Sequence, residues 1–198
     1  KRQIPEYDKI YCVSEPVRKQ VIARFPELAD RTEVLLNFID IKQVQRRSEE
    51  PLSDPQYTGE LKFLTVGRAS EEKGYDIAVQ ITAELKKRGL CFKWFIIGDG
   101  RDLNKLRTMA KEYQVEQEII FLGMRENPAP YVKSCDLYLQ PSRHEGYPIT
   151  IVEARSLQKV IIASDIPSMR EQIRDGENGY LCPLDVMQFA DKIQKVLA

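Results

Sequence analysis

Two glutamates, Glu145 and Glu153, stand eight residues apart in the stretch SRHEGYPITIVEA (Ser142 to Ala154), on either side of a Gly-Tyr-Pro turn. The run before them, DLYLQ (Asp136 to Gln140), is apolar enough for a buried strand, so the whole reads as strand, polar elbow, helix. With Pro148 at the first helical position, the first-turn N–H groups of Ile149 and Thr150 are free to bind an anion, while Pro148 has none to offer. Glu145 then falls in the loop ahead of the helix and Glu153 more than a turn inside it. Two carboxylates beside a positive helix end would repel a bare phosphate, unless each met neutral hydroxyls on one side of it. A sugar nucleotide has that layout: sugar hydroxyls, diphosphate, ribose hydroxyls. The same residues also fit a structural role, with Glu153 a partly buried helix carboxylate and Glu145 a local cap.

Three further turns follow apolar strands. In GRASEEKG (Gly67 to Gly74), Arg68 and Lys73 bracket a short loop between glycines, and two fixed cations suit a diphosphate through charge-assisted bonds. The alternative is a solvated loop in which they pair with Glu71 and Glu72. Gly98-Asp99-Gly100 lets backbone approach a ligand, yet it lacks the third glycine of the dinucleotide fingerprint and also reads as a tight turn capped by Asp102. LGMR, with Met124 and Arg125, offers backbone groups and reads best as a structural turn. Tyr147 either stacks near a ligand or covers the elbow, and His144 is given no catalytic role.

These turns need a scaffold, and the chain supplies one. Strand and helix alternate through LKFLTV (Leu61 to Val66), a helix from Tyr75 to Lys87, FKWFII (Phe92 to Ile97), a helix from Leu103 to Tyr113, and EIIFL (Glu118 to Leu122). A short helix opened by Asn127-Pro128, DLYLQ, the elbow helix, VIIAS (Val160 to Ser164) and a last helix from Asp185 complete the series. Strands apolar throughout are buried on both faces, so the expectation is an α/β fold, a doubly wound parallel sheet of Rossmann-like form. Ligands in such sheets sit at the carboxyl ends of the strands, where these turns lie. Upstream, DKIYCV (Asp8 to Val13), a helix starting at Pro16 and TEVLL (Thr32 to Leu36) make one β-α-β unit, too small to stand alone. Residues 1–45 are therefore expected to be the trailing edge of another domain, packing on the back half or on another copy; 46–60, polar and proline-bearing, read as a linker, and 61–198 as the main domain.

Composition excludes several classes. Among 198 residues, 30 Lys plus Arg balance 30 Asp plus Glu, so no global field draws the protein to nucleic acid. A single histidine gives little support to a His-based zinc site. The four cysteines are far apart, and Cys12, Cys91, Cys135 and Cys182 read as buried thiols in a reducing, cytoplasmic setting. No apolar run is long enough to span a membrane, and the chain, which does not begin with Met, reads as a fragment or excised domain.

The ordered series GR…EKG, GDG, FLG (Phe121 to Gly123), PSRHEGYPITIVEA, SD (Ser164-Asp165) and DGENGYL (Asp175 to Leu181) resembles the nucleotide-sugar-binding, C-terminal half of retaining family-4-type glycosyltransferases of the GT-B fold. YDKIYCVSE and TEVLLNFID are similar to the end of that family's N-terminal domain, with Phe38 where a glycine is usual. The resemblance implies that Glu145 supports the donor sugar and its developing oxocarbenium charge. It implies that Arg68, Lys73, Ile149 and Thr150 hold the diphosphate, that Glu153 holds the ribose, and that Met124 and Arg125 lie near the base; Gly146, Tyr147 and Gly98 complete the donor site. It implies no cofactor beyond the nucleotide-sugar substrate, and with no Asp-x-Asp motif in the chain, metal-independent donor binding is expected. The missing N-terminal domain would supply the acceptor site and any peripheral membrane association at the inner face of the membrane. The fragment alone would bind nucleotide weakly and not turn over. A non-hydrolysing nucleotide-sugar epimerase, a glycosidase and a non-catalytic nucleotide-binding module stay open as alternatives.

Overall fold

The computed structural model describes residues 7–198. The chain opens with β1 (Ile10–Cys12), α1 (Glu15–Arg24) and β2 (Thr32–Val34), and the two short strands pair in parallel. Ser14 caps α1 by accepting from the Val17 N–H at 3.4 Å, and Pro16 sits in the first turn, where its missing N–H costs nothing. Helix α2 (Ile41–Ser48) follows, capped by Asp40, which accepts from the Gln43 N–H at 3.0 Å. It runs through Arg46, where the sequence reads as the start of a connector. Only Ile41 and Val44 of its side chains are apolar, and although they share one face they are too few to mark a helix in the sequence. Bonds from Gln45 to the Ser156 carbonyl (3.2 Å) and from Arg47 to the Glu126 carbonyl (3.1 Å) help to hold it.

Beyond it come β3 (Lys62–Val66), α3 (Tyr75–Lys87), β4 (Lys93–Ile97), α4 (Leu103–Glu112), β5 (Ile119–Gly123) and α5 (Ala129–Ser134). Then follow β6 (Leu137–Gln140), α6 (Ile149–Ser156), β7 (Val160–Ser164), α7 (Pro167–Arg170), β8 (Tyr180–Cys182) and α8 (Val186–Leu197). Six of these strands form one all-parallel sheet in the order β5-β4-β3-β6-β7-β8. Phe63, Trp94, Ile96 and Leu139 face α3, α4 and α8 in one buried cluster, while Leu64, Phe95, Tyr138 and Ile161 face α5, α6 and α7 in another. The sheet is thus apolar on both faces, which is why its strands read as continuous apolar runs. Strand β8 and the single turn of α7 are too short to carry a period of their own.

The front unit packs on the back of the same chain. The Glu15 N–H donates to the Glu171 carboxylate at 3.0 Å, and Asn37 donates to the Tyr147 carbonyl at 3.3 Å. Its outward side keeps Tyr11, Leu35, Leu36 and Phe38 exposed. Of the four cysteines, Cys12, Cys135 and Cys182 are buried as expected, but Cys91 is exposed. It lies in the turn between α3 and β4, where the chain crosses the surface before entering the sheet.

Candidate functional site

From β3 the chain builds outward to β4 and β5, then returns to lay β6 on the other side of β3. The reversal of strand order therefore lies between β3 and β6, and the crevice above it is where a doubly wound sheet binds its ligand. The two loops that border it leave β3 and β6; they are GRASEEKG and PSRHEGYP. They touch at Gly74, whose φ of 66° is left-handed and whose Cβ, were it present, would stand 1.9 Å from the Pro141 carbonyl oxygen. Arg143 fastens them, with its two terminal guanidinium nitrogens each 2.6 Å from an Asp76 carboxylate oxygen and one of them also donating to the Glu71 carbonyl at 2.9 Å. The Glu72 carbonyl accepts from the N–H groups of Arg143 and His144 at 2.8 and 3.2 Å.

This fastening brings Lys73 to Glu145. The ammonium donates to both carboxylate oxygens, at 2.7 and 2.8 Å, and the Glu145 side chain is only 7 % exposed. Glu145 Oε1 also accepts from Ser142 Oγ at 2.7 Å and Gln140 Nε2 at 2.9 Å. Behind them, the buried Tyr138 hydroxyl donates to Gln140 Oε1 at 3.3 Å and accepts from the Val66 N–H at 3.3 Å. The first carboxylate of the pair is thus anchored to the ends of both central strands through side chains that cannot move without breaking buried bonds. Neither Glu71 nor Glu72 pairs with Lys73.

Lys73, Arg68, Gly67, Pro148, Ile149 and Thr150 line one cleft of about 550 Å³. Helix α6 begins at Ile149, with Pro148 in extended backbone as its cap, one position earlier in role than the sequence suggests. The Ile151 N–H turns back to the Pro148 carbonyl at 3.2 Å, which leaves the Ile149 and Thr150 amides without a partner among the described residues. Arg68 is exposed and forms no ion pair among those residues. The cleft, whose lining also holds Arg101 and Glu72, therefore offers two arginines, a lysine and two helix-end amides to one anion, against one carboxylate.

None of the remaining candidates is on the lining of that cleft. Glu153 lines a neighbouring pocket of about 250 Å³ with Asp40, Arg47 and Asn127, and burial raises its pKa against the opposing pull of Arg47. Gly146 faces the Val13 side chain, 3.0 Å from where a Cβ would stand, and Tyr147 is held by Asn37, so both elbow residues meet the front unit. Gly98 has φ of 137°, and a Cβ there would stand 1.9 Å from the Gly67 carbonyl oxygen; its freedom serves the close packing of two loops. Met124 is 74 % exposed. Arg125 turns away to Asp54 (2.8 and 3.0 Å), where Tyr131 also bonds the carboxylate at 2.8 Å, tying the segment between α2 and β3 to α5.

Sequence reasoning passed over Gln140, Ser142, Arg143 and Asp76, which assemble the pair of loops. One signal was available: a glutamine closing an otherwise apolar buried strand needs hydrogen-bond partners, and those partners had to lie at the strand's carboxyl end.

Residues 47–198 match the family model described as glycosyl transferases group 1. The chain belongs to that family. An uncharacterized glycosyltransferase of Methanocaldococcus jannaschii is 29 % identical over 193 residues, which cover 95 % of this chain and 45 % of the relative. The group 1 relatives also include the lipopolysaccharide 1,6-galactosyltransferase of Salmonella typhimurium, 29 % identical across 94 % of this chain and 52 % of its own length. The chain spans about half the length of these relatives. Among solved structures, Anabaena HepE in complex with UDP and glucose shares the fold with a TM-score of 0.80 at 20 % identity, over 96 % of this chain and 53 % of the other. Among the described residues of this group 1 chain, no helix is long and apolar enough to cross a membrane.

Proposed function

We propose that this chain is the donor-binding part of a retaining, family-4-type glycosyltransferase that takes a hexosyl or related residue from a nucleoside diphosphate sugar. One observation carries the reading: Arg68, Lys73 and the unpartnered amides of Ile149 and Thr150 line a single cleft at the strand-order reversal, with Glu145 held at its edge. Family membership supports it, as do a relative named for galactosyl transfer to lipopolysaccharide and a fold neighbour holding UDP with glucose.

In this account the diphosphate sits on Arg68, Lys73 and the α6 amides, and those fixed positive groups stabilise the charge that builds on it as the glycosidic bond breaks. Glu145 meets the sugar hydroxyls and opposes the growing positive charge on the ring. Glu153, one turn further along α6, meets the ribose. The cations do this work without a metal ion, so chelators leave donor binding unchanged. The acceptor site and the remaining catalytic groups come from the part of the protein that the relatives possess beyond this chain. Domain closure then completes the site, on a surface glycan or glycolipid at the cytoplasmic face of the membrane.

Product analysis with the full-length protein tests the reaction. The expected result is an acceptor that gains a sugar with its anomeric configuration retained, together with free nucleoside diphosphate. An epimerised nucleotide sugar, or hydrolysis of a plain glycoside with no nucleotide requirement, would contradict it.

A further inference from the structure

The phenol of Tyr75 is an anomaly beside this site. Tyr75 is the first residue of α3, directly after Gly74, and is only 1 % exposed, yet its hydroxyl has no hydrogen-bond partner among the described residues. A buried hydroxyl without a partner lowers stability, and native proteins tolerate few of them. Burial raises its pKa well above the ordinary tyrosine value, with the charges of Tyr138 and Glu145 adding to the effect, so it stays a protonated donor.

Its surroundings indicate what it waits for. The point where a Cβ on Gly67 would stand lies 2.9 Å from the Tyr75 hydroxyl and 3.4 Å from Cε of Lys73, so the phenol and the stem of the lysine that holds Glu145 both lie against Gly67. The two oxygens of Glu145 are not held alike. Oε1 accepts from Lys73, Gln140 and Ser142, whereas Oε2 accepts from Lys73 alone, at 2.8 Å. If the lysine turns to a diphosphate, Oε1 keeps two buried donors and Oε2 loses its only one.

We propose that Tyr75 is a positioning residue that takes over from Lys73: when the ammonium leaves for the donor diphosphate, the Tyr75 hydroxyl donates to Glu145 Oε2 and keeps the carboxylate aimed at the sugar. As the loops stand, the Lys73 ammonium rests on Glu145 Oε2 and the Tyr75 hydroxyl has no partner among the described residues. This inference rests on the donor-binding role proposed above.

The test uses the 198-residue chain labelled with tyrosine carrying carbon-13 at Cζ, titrated with UDP-glucose, UDP-galactose, UDP-N-acetylglucosamine and GDP-mannose, alongside Tyr75→Phe. The Tyr75 resonance, assigned through its contacts with Gly67, is expected to move at saturation as the hydroxyl gains an acceptor. Tyr75→Phe should melt no lower than the parent, since it removes an unpaired hydroxyl, yet bind the nucleotide sugar roughly tenfold more weakly. Opposite signs on stability and binding are not expected of a packing residue. A parent that binds while its Tyr75 resonance stays fixed, or a Tyr75→Phe chain that binds as tightly as the parent, overturns the inference and leaves the donor-binding reading standing. A parent that binds none of the four overturns both. The resonance is read on the parent, so the test stands even where the variant fails to fold.

Discussion

Lys73 and Glu145 hold one another, the ammonium 2.7 and 2.8 Å from the two carboxylate oxygens, across loops that leave different strands. Removing the lysine strands a carboxylate that is 7 % exposed, so Lys73→Ala should destabilise the chain by about 1–3 kcal/mol. Glu145→Ala should lose part of the same energy, and a double-mutant cycle in urea denaturation should give a coupling of about 0.5–3 kcal/mol. Strict additivity would show that the pair is not coupled in solution.

The segment between α2 and β3 is fastened by Asp54, and its acid response follows from that. Burial pushes the Asp54 carboxyl up, but Arg125, the Gln56 N–H and Tyr131 together hold it below the ordinary 3.8. A carboxyl depressed in the folded state contributes stability that is complete above its unfolded value and disappears as pH falls through the folded one. The stability gap between the parent and Asp54→Asn should therefore be widest above about pH 4 and close below it, as melting temperatures across roughly pH 2 to 7 would show.

Gly98 and Gly74 each stand against the backbone of another loop. Gly98→Ala and Gly74→Ala each place a methyl group 1.9 Å from a carbonyl oxygen at a positive φ, so each should cost more than about 3 kcal/mol. Denaturant midpoints check this. Gly176→Ala supplies the contrast, for it also has positive φ (79°) but no atom within 4 Å, and its cost should be about 1 kcal/mol.

Much of this architecture was legible because buried parallel strands write themselves as apolar runs. KFLTV, KWFII and VIIAS could be placed from sequence to within a residue or so. Helix α2 was not legible, since its apolar face is only Ile41 and Val44 and much of its hold comes from hydrogen bonds of Arg47, Gln45 and Asn127. At the site, Arg68, Lys73, Ile149 and Thr150 could be named because cations and a helix start after strands limit what a turn can do. That Lys73 would rest on Glu145 could not be read, because contact across 72 positions depends on the strand order, which the local pattern does not specify. Nor could the turning of Arg125 toward Asp54, which is brought within 2.8 Å by the docking of a stretch with no regular structure.

The central claim is that Arg68, Lys73 and the α6 amides form one anion site for a nucleotide sugar. Calorimetric titration of the chain with UDP-glucose, UDP-galactose, UDP-N-acetylglucosamine and GDP-mannose, repeated with Arg68→Ala and Lys73→Ala, tests it most directly. Binding of at least one of them by the parent, weakened roughly tenfold or more in each variant, is the expected result. Variants that bind as tightly as the parent would contradict the account.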